Sequence, residues 1–212
     1  MLFRSSDNQA PLWLCLYLTN LPLEVFVRSG DAADTERPVV VLERQRVTHL
    51  NQAAKNLDIQ IGSSMDTAYT LAGHVLAFER NPAREERTLK QLAQWAYQFT
   101  PQVCCQHTDS LLLNISGCLK LFNGLDNLVN SIRQRLADKG YSTQMGLSYT
   151  PGAAKMMARA GIENMNLNPA LPIADIKTEI IQQFGPLPID LIETEPGIDR
   201  KSTRLNSSHQ II

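Results

Sequence analysis

The chain has 212 residues, with 20 Lys and Arg against 21 Asp and Glu and a formal net charge of −1. Its hydrophobic fraction is 43% and its charged fraction 19%, a globular composition with enough apolar material for one ordinary domain or two small ones. The pI near 6.4 excludes a bare nucleic-acid clamp, which would carry a strong basic excess. No apolar run approaches the roughly 18 residues of a membrane span.

Residues 1–11 are polar and end in Pro11. They read as a frayed leader without a secretory h-region, so a cytoplasmic protein with no membrane partner is expected. Trp13 to Leu18 is a Leu-rich buried strand, and Leu21 to Val27 is a helix with Pro22 in its first turn. A polar loop spans Gly30 to Arg37. Pro38 to Glu43 is β-branched and pairs with Arg46 to Leu50. Asn51 to Leu57 is a short helix, and Ser64 caps Met65 to Leu71. Val75 to Glu79 is a short strand.

Asn81-Pro82 opens a long amphipathic helix running through Phe99, with Leu89, Leu92, Ala93, Ala96 and Tyr97 at helical spacing. Val103 to Ile115 is a strand region, with Asp109 and Ser110 in the middle of the stretch Gln106 to Ser116. Leu125 to Lys139 is a second long helix closed by Gly140. Ser142 to Tyr149 is a strand, and Pro151 to Arg159 is a helix ended by Gly161. The looser, Pro-rich remainder holds one helix, Ile176 to Phe184. This order predicts an α+β sheet with helices on one face and a boundary near residue 151. Asp199 to His209 resembles a sequencing adapter translated in frame, so residues 199–212 are expected to be artefactual.

The four cysteines form no C-x-x-C pair, and His49, His74, His107 and His209 are scattered. No zinc site or other cofactor is expected, and the thiols read as buried and reduced.

Several segments, in order, resemble the palm and fingers of Y-family (UmuC- and DinB-like) translesion DNA polymerases. Arg37-Pro38 and Val39 to Val41 are similar to the family's "KPVVV" strand, and Gln52 to Gly62 to its "YEARKFGVKAG" segment. His107 to Ile115 is similar to "SIDEAYLDV", and Gly146-Leu147-Ser148 followed by Ala154-Lys155 to "GIS" followed by "AK". The resemblance covers residues 12 to 165. It implies a palm from 12–48 and 80–150, fingers from 49–79, and a partial helical thumb from 151–198, without the family's little-finger domain.

The resemblance also implies where the chemistry has lapsed. The two palm strands of the family carry the carboxylates that hold two metal ions. Here those positions fall on Cys15, Asp109 and Ser110, and the neighbouring family Asp falls on Tyr17. The steric-gate aromatic falls near Asn20, and the triphosphate-contacting Tyr and Arg on Gln52 and Lys55. Lys155 matches a phosphate-contacting lysine. Two Mg²⁺ ions about 3.5–4 Å apart need several hard carboxylate oxygens. One Asp, a soft thiol and an uncharged hydroxyl do not supply them. No metal and no polymerase chemistry are therefore expected.

Each residue also has a plainer reading. Asp109 alone is a solvated or hydrogen-bonded strand residue, and Cys15 a small core residue. Lys55 and Lys155 are either phosphate contacts or solvated helix-face lysines. Arg80, Arg84, Arg87 and Lys90 read as a solvated face diluted by Glu85 and Glu86. His107 and Asp109 share a strand face, with nothing nearby to complete a site. Trp95, Tyr97 and Phe99 read as packing residues.

The pattern, with Leu21-Pro-Leu-Glu24, most resembles the ImuB group of the damage-induced mutagenesis system. That implies a non-catalytic accessory on damaged primer-template DNA. Its expected partners are the sliding clamp, an error-prone replicative-type polymerase and a RecA-like protein. The rival reading is an active metal-dependent nucleotidyltransferase with a relocated ligand, for which Glu24 and Asp7 are the nearby acids. A third is a generic α+β interaction module.

Overall fold

A computed structural model describes residues 10–28, 36–106 and 109–185. Most of the expected leader with Asp7, most of the 30–37 loop, His107, the end of the expected thumb and the 199–212 tail lie outside the described residues.

The centre of the fold is a four-stranded sheet in the order β5-β6-β1-β7. β1 (Trp13–Leu18) lies antiparallel between β6 (Ser110–Asn114) and β7 (Thr143–Ser148), and β5 (Val103–Gln106) pairs antiparallel with β6. Successive side chains of a strand face opposite ways. Leu14, Leu16 and Leu18 therefore enter the main core, together with Leu111 and Leu113 from β6. The same core takes α1 (Leu21–Val27), α4 (Pro82–Ala96) and α5 (Leu125–Asp138) through Phe26, Leu89, Leu92, Leu128 and Ile132. Trp13, Cys15 and Tyr17 point to the other face. There α6 (Pro151–Arg159) packs, so helices cover both faces of this sheet and not the one expected, closing a small cluster of Cys15, Leu112, Ala154 and Ala158.

A second sheet has the order β3-β2-β4. β2 (Val39–Glu43) runs antiparallel to β3 (Arg46–Leu50) and parallel to β4 (Leu76–Glu79). Val39 and Val41 face the main core, while Val40 and Leu42 face a second core with Val47, Leu50, Ala54, Ile59 and Ala68. A strand buried on both faces reads as a continuous apolar run, which is why Val39 to Leu42 shows no alternation. The short helices α2 (Gln52–Lys55) and α3 (Met65–Leu71) complete this second unit.

The expected Ser64 cap forms, its Oγ accepting from the Thr67 amide at 3.1 Å at the start of α3, and the structure adds a second, Thr150 Oγ1 accepting from Ala153 at 3.3 Å at the start of α6. Each satisfies an orphan donor of a first helical turn. Asn51 Oδ1 accepts from Ala54 at the start of α2 and also from the Val39 amide, tying that helix to β2.

Two local expectations are corrected. First, α4 ends at Ala96, not Phe99. Pro101 disfavours helical backbone in the residue before it, and residues 97–100 close in tight turns. Phe99 is buried against Trp95 with ring centroids 5.1 Å apart, but Tyr97 is 56% exposed and is no packing residue. Second, Asp109 does not sit mid-strand. Gln106 pairs with Ser110, so β5 folds back on β6 and Asp109 stands at the hairpin mouth. The chain ends its described part in a 3-10 turn, Ile173–Asp175, and α7 (Ile176–Phe184).

Candidate functional site

Strand register assembles the site. Tyr17 lies opposite Ser110, and Cys15 lies between Leu112 and Gly146. Directly opposed residues of antiparallel strands share a face, so Cys15, Tyr17 and Ser110 are gathered on one side of the sheet. Asp109 joins them, fixed by its carbonyl, which accepts from the Leu18 amide at 2.9 Å. Three of the expected residues, Cys15, Asp109 and Ser110, are thus brought together.

Both carboxylate oxygens of Asp109 are engaged from within the chain. Ser110 Oγ donates to Oδ1 at 2.6 Å. Arg159 Nη2 donates to Oδ2 at 3.1 Å, forming an ion pair with 20% of the Arg159 and 30% of the Asp109 side chain exposed. The Arg159 guanidinium also stands 5.7 Å from the centroid of the Tyr17 ring, within cation–π range. Asp109 is therefore hydrogen-bonded and charge-paired, with part of its side chain still exposed.

Cys15 is fully buried. Burial first, and then the Asp109 charge, push its thiol up to about 12, while Lys155 and Arg159 pull the other way. A protonated thiol does not serve as a metal ligand. Among the described residues, no group of three or more His, Cys, Asp or Glu stands together in a way that holds a metal ion. The donor set therefore does not fit the two-cation site that the family resemblance implies. One carboxylate is already neutralised, and the other two positions hold a protonated thiol and a hydroxyl.

Lys155 is not a solvated helix-face lysine. It is 7% exposed, in the second turn of α6, and close enough to influence the Cys15 thiol. Lys55 is exposed on α2, in the second unit. Its neighbour Gln52 donates to Asn56 Oδ1 at 2.9 Å. Asn20 stands before α1, and its carbonyl accepts from the Leu23 and Glu24 amides.

A cleft of about 190 Å³ opens beside Asp109, with Tyr17, Thr19, His49, Arg80 and Glu85 among its walls. It lies where the main sheet meets the second one. Glu85 is 1% exposed, and Arg80 grips it with two hydrogen bonds of 2.9 Å, Nε to Oε1 and Nη2 to Oε2. A third contact reaches Glu43 Oε2 at 3.4 Å. These bonds raise the Arg80 pKa. Burial, and then Arg80, lower that of His49. The expected solvated basic face is corrected on two counts. Arg80 is committed to Glu85, and the Arg84 guanidinium lies 5.3 Å over the Phe26 ring. Lys90 pairs with Glu86 on the surface.

Glu24 has a different task from metal binding. It is buried, and its Oε1 accepts from the Ser142 amide at 2.7 Å, tying α1 to the approach to β7. Its other oxygen is buried without a hydrogen-bond partner, and burial raises its pKa.

Sequence reading missed Arg159. The signal was present: Arg159 is four residues after Lys155 and so shares its helix face. Arg80 and Glu85, five residues apart across a helix start, gave no such pattern. Among the described residues no helix is long and apolar enough to cross a membrane.

Comparison with known proteins places the fold. Two relatives named Protein ImuB, from Caulobacter vibrioides strains NA1000 / CB15N and ATCC 19089 / CIP 103742 / CB 15, are 29% identical over 100 residues. That alignment covers 47% of this chain and 22% of each relative, so the chain matches about a fifth of their length. Among solved structures, the post-insertion binary complex of Dbh DNA polymerase matches with a TM-score of 0.64 and 17% identity, over 92% of this chain and 57% of that one. A Dbh ternary complex matches at 0.60 and 18%, over 92% and 56%. DinB from Sulfolobus solfataricus matches at 0.53 and 16%, over 93% and 57%. A Dbh-based chimera described as a Y-family DNA polymerase matches at 0.57. These likenesses establish the fold, an α+β architecture of Y-family palm and fingers. The impB/mucB/samB family matches residues 26–159, well over half of the sequence, and this chain belongs to that family.

Proposed function

We propose that this chain is the palm-and-fingers part of a Y-family-like accessory protein, acting in translesion synthesis on damaged DNA without polymerase chemistry of its own. The observation that carries the reading is the state of Asp109. Its two oxygens are taken by Ser110 and Arg159, and its strand neighbour Cys15 is a buried, protonated thiol. Without bound metal ions, the attacking 3′-oxygen is not activated and the leaving pyrophosphate is not stabilised.

On this reading the domain layout is a palm from 12–48 and 80–150, fingers from 49–79 and a partial thumb from 151–198. The packing of β2 into both cores joins the first two. Lys155 and Lys55 are the proposed phosphate- or DNA-contacting residues, and damaged primer-template DNA is the proposed ligand of the whole protein. A sliding clamp, an error-prone replicative-type polymerase and a RecA-like protein are its proposed partners, in a cytoplasmic, DNA-associated setting. The family resemblance supports these. The rival reading, a relocated acidic ligand, draws no support from Glu24, which is buried and bonded through Oε1 to the Ser142 amide.

Titration calorimetry with a deoxynucleoside triphosphate tests the proposal, run once with Mg²⁺ and once with chelator. The expected result is the same weak or absent heat in both. Metal-dependent binding in the micromolar range by the unaltered chain would return the enzyme reading to first place.

A further inference from the structure

We infer that the guanidinium of Arg159 has taken over the charge-balancing role of the metal ions in this palm, so the site is neutralised from within the chain and closed to divalent cations. The inference rests on the lapsed-site reading above and goes one step further. The site has not only lost ligands; it has also gained a resident cation.

Three observations carry it. The ion pair joins Asp109, at the mouth of the β5–β6 hairpin, to a residue 50 positions away on α6. The helix that bears Arg159 is packed backbone-to-backbone on the sheet, which sets the reach of its side chain. A Cβ on Gly146 would lie 2.2 Å from the Ala158 amide nitrogen and 2.3 Å from the Ala154 carbonyl oxygen, so the α6 backbone is seated directly on β7. Finally, the guanidinium lies against the Tyr17 ring, at a position where the family resemblance puts a carboxylate. An aromatic face favours a cation there, as an acid would.

The chemistry of this arrangement differs from that of a metal. A guanidinium is planar and permanently charged, and it binds carboxylates through directed N–H donors. It needs no ligand exchange and releases nothing. The carboxylate geometry is therefore held whether or not nucleotide or metal is present, which suits a scaffold whose palm must keep its shape while another protein performs the reaction. It also follows that restoring carboxylates alone will not restore metal binding. New acids at positions 15 and 110 would stand beside Arg159 and the buried Lys155, and these cations would compete with the metal.

The test is a Mn²⁺ titration, read by electron paramagnetic resonance of the free ion, on four forms of the chain. They are the unaltered chain, Arg159→Met, Cys15→Asp with Ser110→Glu, and the triple variant combining all three changes. The expected result is no measurable binding by the first two, and binding by the triple variant at least about tenfold tighter than by the double. Equal affinities of double and triple would overturn the inference and leave the lapsed-site reading intact. Tight Mn²⁺ binding by the unaltered chain would instead overturn the lapsed-site reading.

A thermal double-mutant cycle of Asp109→Asn and Arg159→Met gives an independent readout that does not require the acidic variants to fold. The pair is confirmed if the combined variant loses no more in Tm than the larger single loss. Additive losses would show that Arg159 does not serve Asp109, and the inference would fail.

Discussion

Gly146 and Ala158 meet with no space for a single methyl group between them. The Cβ that any other residue would carry at position 146 falls 2.2 Å from the Ala158 nitrogen and 2.8 Å from its Cα. The obstruction is backbone on both sides, so no side chain can rotate away. This contact holds α6 against β7, and with it both Lys155 and Arg159 at the site.

Gly146→Ala is therefore expected to cost about 2–4 kcal/mol, at or somewhat above the usual overpacking penalty because a helix backbone must move. Urea unfolding measures it. The same variant is expected to expose Cys15, seen as faster alkylation of that thiol. A loss below about 0.5 kcal/mol with Cys15 still protected would mean that α6 is not seated on β7 as described.

Arg80 and Glu85 form the second buried charge pair, and the asymmetry of their burial sets the expected effects. Glu85 is 1% exposed and Arg80 is 29% exposed on its side chain. Arg80→Met leaves a carboxylate in the interior without its guanidinium partner, and is expected to cost about 3 kcal/mol, the lower end of the range for a broken buried pair because Arg80 is partly exposed. The double variant Arg80→Met with Glu85→Leu is expected to recover at least half of that loss, since no charge is then buried. Denaturant midpoints of the two variants decide it. A double variant as unstable as the single would show that the pair does more than compensate charge.

Glu24 makes stability depend on pH in a direction opposite to that of most carboxylates. Burial raises its folded pKa above the ordinary value of 4.5, and the Ser142 amide only partly offsets this. A group raised in the folded state contributes stability that is fully present below its unfolded pKa and lost as pH rises through the folded one. In Glu24→Gln the amide oxygen keeps the Ser142 bond and nothing titrates. The stability of the variant relative to the unaltered chain is therefore expected to rise between about pH 4.5 and neutrality. Thermal midpoints at several pH values in that window check it. A constant or falling difference would place Glu24 in a solvated setting.

Much of the fold was legible in the sequence because its signals are local. β1, α1, β3, α3, α6 and α7 begin and end where periodicity, Pro22, Ser64, Pro151 and Gly161 place them. Caps act within one helical turn, and strand alternation within a few residues, so the chain needs no distant partner to express them. That Cys15 and Ser110 stand where the family resemblance expects acids is likewise read from residue type at a matched position, and it needs no knowledge of the packing. Other features were settled by tertiary structure alone. Asp109 meets Arg159 across 50 residues, Glu24 meets Ser142 across 118, and Val39 to Leu42 divides its side chains between two cores. Each is a contact between elements whose separation in sequence carries no periodic trace. The physical reason is the same in all three. Propensity and pattern determine which face of an element is apolar, but the partner that a buried charge or a doubly buried strand will find is decided only when the sheets and helices pack.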